Sequence, residues 1–129
     1  MQPRDIMIKW LSDNIPDLII EPEERSLFDV VGRVNGDGAR AIYSLEVNKG
    51  WTGEWPENWK FIYIPSESKK LLTEWKKYNK YDLYTLVIFR KDLKKAWHIA
   101  ADIVNDSKIL GKNYLIDVRD AYQMDVTND

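Results

Sequence analysis

Cysteine is absent from this 129-residue chain, and histidine occurs once. The first absence removes any disulfide framework and any cysteine-based zinc site, and it agrees with a reducing cytoplasm, the expected location. One histidine, His98, cannot build a histidine-rich metal centre. No serine or cysteine nucleophile signature accompanies it, so it reads as a structural residue. No apolar run approaches the roughly 18 residues that would suggest a membrane-spanning helix, and no membrane role is expected. The opening residues are amphipathic, with Arg4, Asp5 and Lys9, unlike a secretory leader. An excess of basic charge is also missing: 19 Lys and Arg face 21 Asp and Glu, for a net charge of −2. Stand-alone nucleic-acid binders usually carry a basic field, so any cationic face here must be local. The phosphate-binding G-x-x-x-x-G-K-[ST] loop, the G-x-G-x-x-G fingerprint, HExxH and G-x-S-x-G are not found, and nothing repeats. Nucleotide-cofactor and triad-hydrolase chemistry therefore have little support.

What is present is 44% hydrophobic content and six tryptophans, enough for one folded domain spanning 1–129. Residues 3–13 read as a helix, with Pro3 in the first turn and Ile6, Met7, Trp10 and Leu11 at helical spacing. A short apolar segment, 18–20, precedes the acidic group Glu21, Glu23 and Glu24. Residues 27–34 and 39–47 then form a hairpin about Asn35-Gly36-Asp37-Gly38, a strong turn signal. Alternation puts Ile42, Ser44, Glu46 and Asn48 on one face of the second arm and Ala41, Tyr43, Leu45 and Val47 on the other. The latter set has the buried-face pattern, whereas the former turns polar towards its tip. Asp29 shares a face with Val31 and Arg33. Pairing through the turn would bring it near Glu46, in a register that the sequence leaves open. The plainer alternative is that Asp29 ends a strand and Glu46 pairs with Arg33 or Arg40 across the hairpin.

Trp51, Trp55 and Trp59 follow at four-residue steps, but Gly50, Gly53 and Pro56 predict a loop rather than a helix. Such tryptophans either stack on bases or a partner, or cover the edge of a small core. Residues 60–64 read as a third strand. A helix over 67–79 carries Leu71, Leu72, Trp75 and Tyr78 on one face and Lys69, Lys70, Lys76 and Lys77 around the rest. It is the one clearly basic element, either a solvated face or a phosphate-contacting one. Residues 81–90 are nearly all apolar, as in a strand covered on both sides. Residues 94–104 are read as strand then helix, in preference to a single helix. Residues 113–118 and 122–126 are two short strands that suggest an edge hairpin.

An acid heading one strand (Asp29), followed by Glu46-Val47-Asn48 near the end of the next, resembles the PD-(D/E)xK nuclease superfamily over roughly residues 4–90. The resemblance implies a single α/β domain: a central mixed sheet flanked by helices, restriction-endonuclease-like, with an αβββαβ core. It implies a metal-dependent DNA endonuclease in which Asp29 and Glu46 hold Mg²⁺ or Mn²⁺, hard ions that take oxygen ligands. Glu24 is the best match for a further acid, with Glu23 and Glu21 as rivals. The lysine of the motif is replaced by Asn48, so Asn48 or Lys49 would take its role, with Lys60 or Lys69 as other sources of charge. Asparagine can hydrogen-bond an oxyanion but brings no charge. Lys49 would point to the opposite face unless Gly50 permits a bulge. DNA is the expected partner, contacted by Lys69, Lys70, Lys76, Trp51 and Trp55. The small size suggests that a homodimer or protein partner helps grip a duplex. The alternative is a catalytically degenerate nuclease-fold protein that serves as a binding or assembly module through the tryptophan loop. A third reading is a metal-independent nucleic-acid binder using the lysine helix.

Overall fold

The computed structural model describes residues 2–21, 29–35, 40–65 and 83–127. Helix α1 (Pro3–Asn14) comes first. Proline suits its first turn, where a backbone N–H has no intrahelical partner, and the Gln2 amide donates to the Asp5 carboxylate at 3.3 Å. Ile6, Met7 and Leu11 recur at helical spacing, and all three are buried. Strands β1 (Leu18–Ile20), β2 (Val30–Val34), β3 (Arg40–Asn48), β4 (Phe61–Pro65), β5 (Leu83–Arg90) and β6 (Lys95–Ala100) follow. A short helix α2 (Ala101–Asp106), β7 (Lys108–Leu110), β8 (Asn113–Asp117) and β9 (Tyr122–Asp125) complete the chain.

Six strands make the central sheet, in the order β1-β2-β3-β5-β6-β9. The first three are antiparallel, with Leu18 opposite Val34 and Val31 opposite Ile42. β5 then lies parallel to β3 in unbroken register from Ala41–Leu83 to Asn48–Arg90. This is the expected mixed α/β sheet. The basic helix expected over 67–79, with Lys69, Lys70 and Lys76, lies outside the described residues, as does Glu24.

Each face of the sheet has its own core. On one side α1 lays Ile6, Met7 and Leu11 against Val30, Val87, Phe89 and Ala96. On the other, Ile42, Leu86, Ile88 and Trp97 meet Ile62 and Ile64 of β4, Tyr114 and Ile116 of β8, and Val104 of α2. β5 is buried continuously from Leu86 to Arg90, as its apolar run predicts for a central strand. Strand-then-helix is also what residues 95–106 adopt.

Three expectations change. The third core strand is not the segment at 60–64 but the three-residue β1, too short to display a period; β4 instead forms a separate sheet, β4-β8-β7. The two C-terminal strands do not pair with each other: β8 joins β4 and β7, while β9 lies along β6. On β3, the side that turns polar is the one buried at Ile42 and Ser44. Ala41, Tyr43 and Leu45 are half-buried under α1, because both faces of this strand are covered.

Candidate active site

The candidate acids stand where β2 enters the sheet and β3 approaches its end. Asp29 immediately precedes β2 and is anchored twice. Arg4 Nε of α1 donates to its carbonyl at 3.1 Å, and its Oδ2 accepts the Leu45 backbone N–H of β3 at 2.7 Å. The side chain thus continues the β2–β3 ladder beyond its last backbone pair. The register Val31–Ile42 puts Asp29 on the face that β3 gives to Ser44 and Glu46. A carboxylate oxygen has two acceptor positions, so the bond from Leu45 leaves capacity for a cation.

Beneath the acids is a polar pair absent from the sequence reading. Ser44 Oγ and Tyr84 Oη lie 2.5 Å apart in a buried hydrogen bond across the parallel β3–β5 seam. Tyr84 is 4% exposed. Burial is the main force raising its pKa to about 12; the Ser44 hydrogen bond opposes it, and the negative charges of Asp29 and Glu46 raise it further. One phenol therefore feels both carboxylates, and it stays protonated at neutral pH. Ser44 was visible on the polar face of its strand, but its partner depends on a register between strands forty residues apart.

Asn48 ends β3 opposite Arg90. Its Oδ1 accepts the Gly50 N–H at 3.0 Å, and its carbonyl accepts the Trp51 N–H at 3.1 Å. At the motif's lysine position, asparagine thus shapes the exit from the strand. Lys49 is exposed in that turn. The regular pairing up to Asn48 contains no bulge that would carry Lys49 onto the face of Glu46. Beside Asn48, the nearly buried Arg90 donates from Nε to Asp92 at 2.9 Å and from Nη1 to the Gly53 carbonyl at 3.4 Å. Its charge is engaged in pinning the tryptophan loop.

That loop is largely core. Trp51 is 1% exposed and packs beside Trp97, with ring centroids 6.1 Å apart. The expected nucleic-acid contact by Trp51 does not hold here, because its ring is enclosed. Trp55 is half-buried and meets Trp51, Trp59 and Trp97 edge to face at 5.1–5.4 Å. Its Nε1 donates to the Trp59 carbonyl at 2.8 Å. Trp59 is 40% exposed. Outside this enclosed stack a groove of about 480 Å³ opens between Asn48, the end of the loop and the outer side of β4.

Among the described residues, no group of three or more His, Cys, Asp or Glu side chains is arranged to hold a metal. Asp29 and Glu46 offer the type of oxygen donor that a hard divalent cation takes, Mg²⁺ commonly binding through one or two carboxylates and completing its shell with water and substrate phosphate.

Helix, antiparallel three-strand unit, and a further strand parallel to the third define a restriction-endonuclease-like fold, the architecture of PD-(D/E)xK nucleases. The solved structure of Hjc, a Holliday junction resolvase from the archaeal hyperthermophile Archaeoglobus fulgidus, matches 88% of this chain and 86% of its own at a TM-score of 0.52 and 15% identity. At that identity the likeness is one of fold. No protein-family model and no curated protein sequence matches the chain.

Proposed function

We propose that this protein is a metal-dependent nuclease that hydrolyses phosphodiester bonds in DNA. The observation that supports the reading is that Asp29 and Glu46 share one face of the β2–β3 pair with the buried Ser44, in a restriction-endonuclease-like fold. Asp29 and Glu46 would hold Mg²⁺ or Mn²⁺, with Glu24 as a further acid. The bound cation would polarise a phosphate and offset the charge that develops there. The chain's own residues supply the framework. The Leu45 amide fixes the Asp29 carboxylate, and Arg4 fixes the backbone beneath it. The protonated Tyr84 hydroxyl is held in a buried hydrogen bond with Ser44 Oγ. Asn48 offers a neutral amide where a lysine would bring charge, and Lys49 adds a cation in the adjoining turn.

The second reading is a catalytically degenerate nuclease-fold protein acting as a binding or assembly module. It is favoured by Asn48, whose Oδ1 is engaged by Gly50. The experiment that separates the two is cleavage of supercoiled, single-stranded and branched DNA with Mg²⁺ or Mn²⁺, alongside Asp29→Asn and Glu46→Gln prepared identically. Metal-dependent cutting lost in both variants supports the nuclease. Equal cutting by all three proteins assigns the activity to a contaminant and rejects the site. No cutting by any folded protein moves the weight to the module.

A further inference from the structure

We propose that the groove beside Asn48 is a stacking site for one unpaired nucleobase of a DNA strand, placed next to the candidate acids. The proposal rests on the DNA-binding part of the reading above, but not on cleavage. The groove volume, about 480 Å³, lies within the range of small-ligand sites, roughly 300–1,000 Å³. Its walls are the rings of Trp55, Trp59, Phe61 and Tyr63, interrupted by the amides of Asn48 and Asn58. The charged residue among its lining is a cation, Lys60.

The position of these side chains follows from β4. Side chains alternate along a strand, so Ile62 and Ile64 enter the core at 0% exposure, while Phe61 and Tyr63 face outward at 42% and 58%. Among the described strands, β4 lies at the border of its sheet and pairs with β8 alone. A strand of this kind ordinarily shows polar side chains to water, and two exposed aromatic rings beside an exposed Trp59 call for an occupant. The composition distinguishes among occupants. A protein partner can also take aromatic lining, and the cation at the rim together with the neighbouring acids is what favours a nucleotide. A nucleotide asks for flat rings, amide groups for the base edge and a cation for the phosphate, which is what this groove offers. The nearby carboxylate of Asp117, opposite Phe61 on β8, is held in a two-pronged ion pair by Arg119 at 2.7 and 3.0 Å, which offsets its repulsion of a phosphate.

Location supplies the second argument. Asn48 is at once a wall of the groove and the residue two beyond Glu46 on the same side of β3. Two residues of extended strand span about 7 Å. A base seated in the groove would therefore leave its own sugar–phosphate backbone towards Glu46. A base can enter only when it is out of a duplex stack, so the groove selects strands with unpaired nucleotides near the bond to be cut.

The test is fluorescence anisotropy with a labelled single-stranded oligonucleotide and a blunt duplex of the same sequence, in EDTA, so that no cleavage enters the readout. Tyr63→Ala and Phe61→Ala remove exposed rings, and circular dichroism and melting check their folding; Tyr63→Phe keeps the ring. Loss of one stacking ring is expected to weaken single-strand binding by about 5- to 150-fold, with duplex binding unchanged and Tyr63→Phe like wild type. Lys60→Gln is expected to lower the magnitude of the slope of log K against log salt by about 0.7. Binding by Tyr63→Ala and Phe61→Ala equal to wild type, or no single-strand binding by wild type at all, overturns the groove. A dimer in sedimentation velocity that dissolves in Tyr63→Ala also overturns it, in favour of a second copy as the occupant. Ring-dependent binding without any cleavage by the metal-loaded protein keeps the groove and removes the nuclease. Cleavage that depends on Glu46 but ignores Tyr63 and Phe61, with single-strand binding unchanged, does the reverse.

Discussion

Tyr84 joins the candidate site to the core, and its hydroxyl can be removed without removing its ring. Tyr84→Phe would leave Ser44 Oγ buried without its present partner, a cost of about 1–3 kcal/mol that urea denaturation would register. The same variant removes a hydroxyl that lies within the electrostatic influence of Asp29 and Glu46. If the pair acts as a unit, its metal response should change along with stability. His98 makes a different case. Burial holds its pKa at about 4, against 6.5 when exposed, and its buried Nε2 makes no hydrogen bond among the described residues. The unfolded chain therefore binds a proton that the folded one resists between those values. The stability this contributes is fully present above pH 6.5 and is lost as pH falls towards 4, by at most roughly 3 kcal/mol. Denaturation midpoints of wild type and His98→Phe, followed from pH 7 to 4, should show a shallower fall in the variant. Parallel curves would mean that the imidazole already titrates freely, despite Trp10 lying 5.3 Å away.

At the scale of elements, two packing devices hold the site strands. Gly32 of β2 sits against Leu18 of β1. A Cβ at this position would lie 2.8 Å from Leu18 Cγ. Gly32→Ala should thus push β1 off the sheet, at a cost of about 1–3 kcal/mol in a urea titration. Trp51 does for the loop what Leu18 does for β1, and Trp51→Ala should cost about 3–5 kcal/mol. Near-neutral behaviour would show that the loop is held by Arg90 and the Lys91–Trp51 backbone bond instead. These devices mark where the sequence could and could not be read. The β2–β3 hairpin was legible because Asn35 supplies a turn residue, here with φ +56°, between two apolar runs. β5 was legible from its unbroken apolar stretch. Leu18–Ile20 carried no period to detect, and the membership of β4, β8 and β9 in two different sheets is decided by contacts far apart in sequence. Asp29 and Glu46 are candidates that local order suggests, whereas Ser44–Tyr84 and the outward rings of β4 required the tertiary register.

Over the whole molecule, the nuclease reading makes a thermodynamic demand that needs no DNA. A cation that binds only the folded state stabilises it by mass action, by about 2.7 kcal/mol at a hundredfold excess over Kd. Millimolar Mn²⁺ or Mg²⁺ should therefore raise the melting temperature of wild type but not that of Glu46→Gln. Equal melting curves with and without the ions would count for the module.

The parallel seam between β3 and β5 also has a consequence for how the protein is made. Asp29 and the Leu45 amide are sixteen residues apart and can meet as soon as the hairpin zips. Tyr84 must wait until a forty-residue excursion has closed. Loop closure is entropically unfavourable before the contacts that reward it exist. The two acids would then be assembled early, and the buried Ser44–Tyr84 pair on the same side would close late. Substitutions along the seam should act on the unfolding rate more than on the folding rate, whereas those in the hairpin should do the opposite.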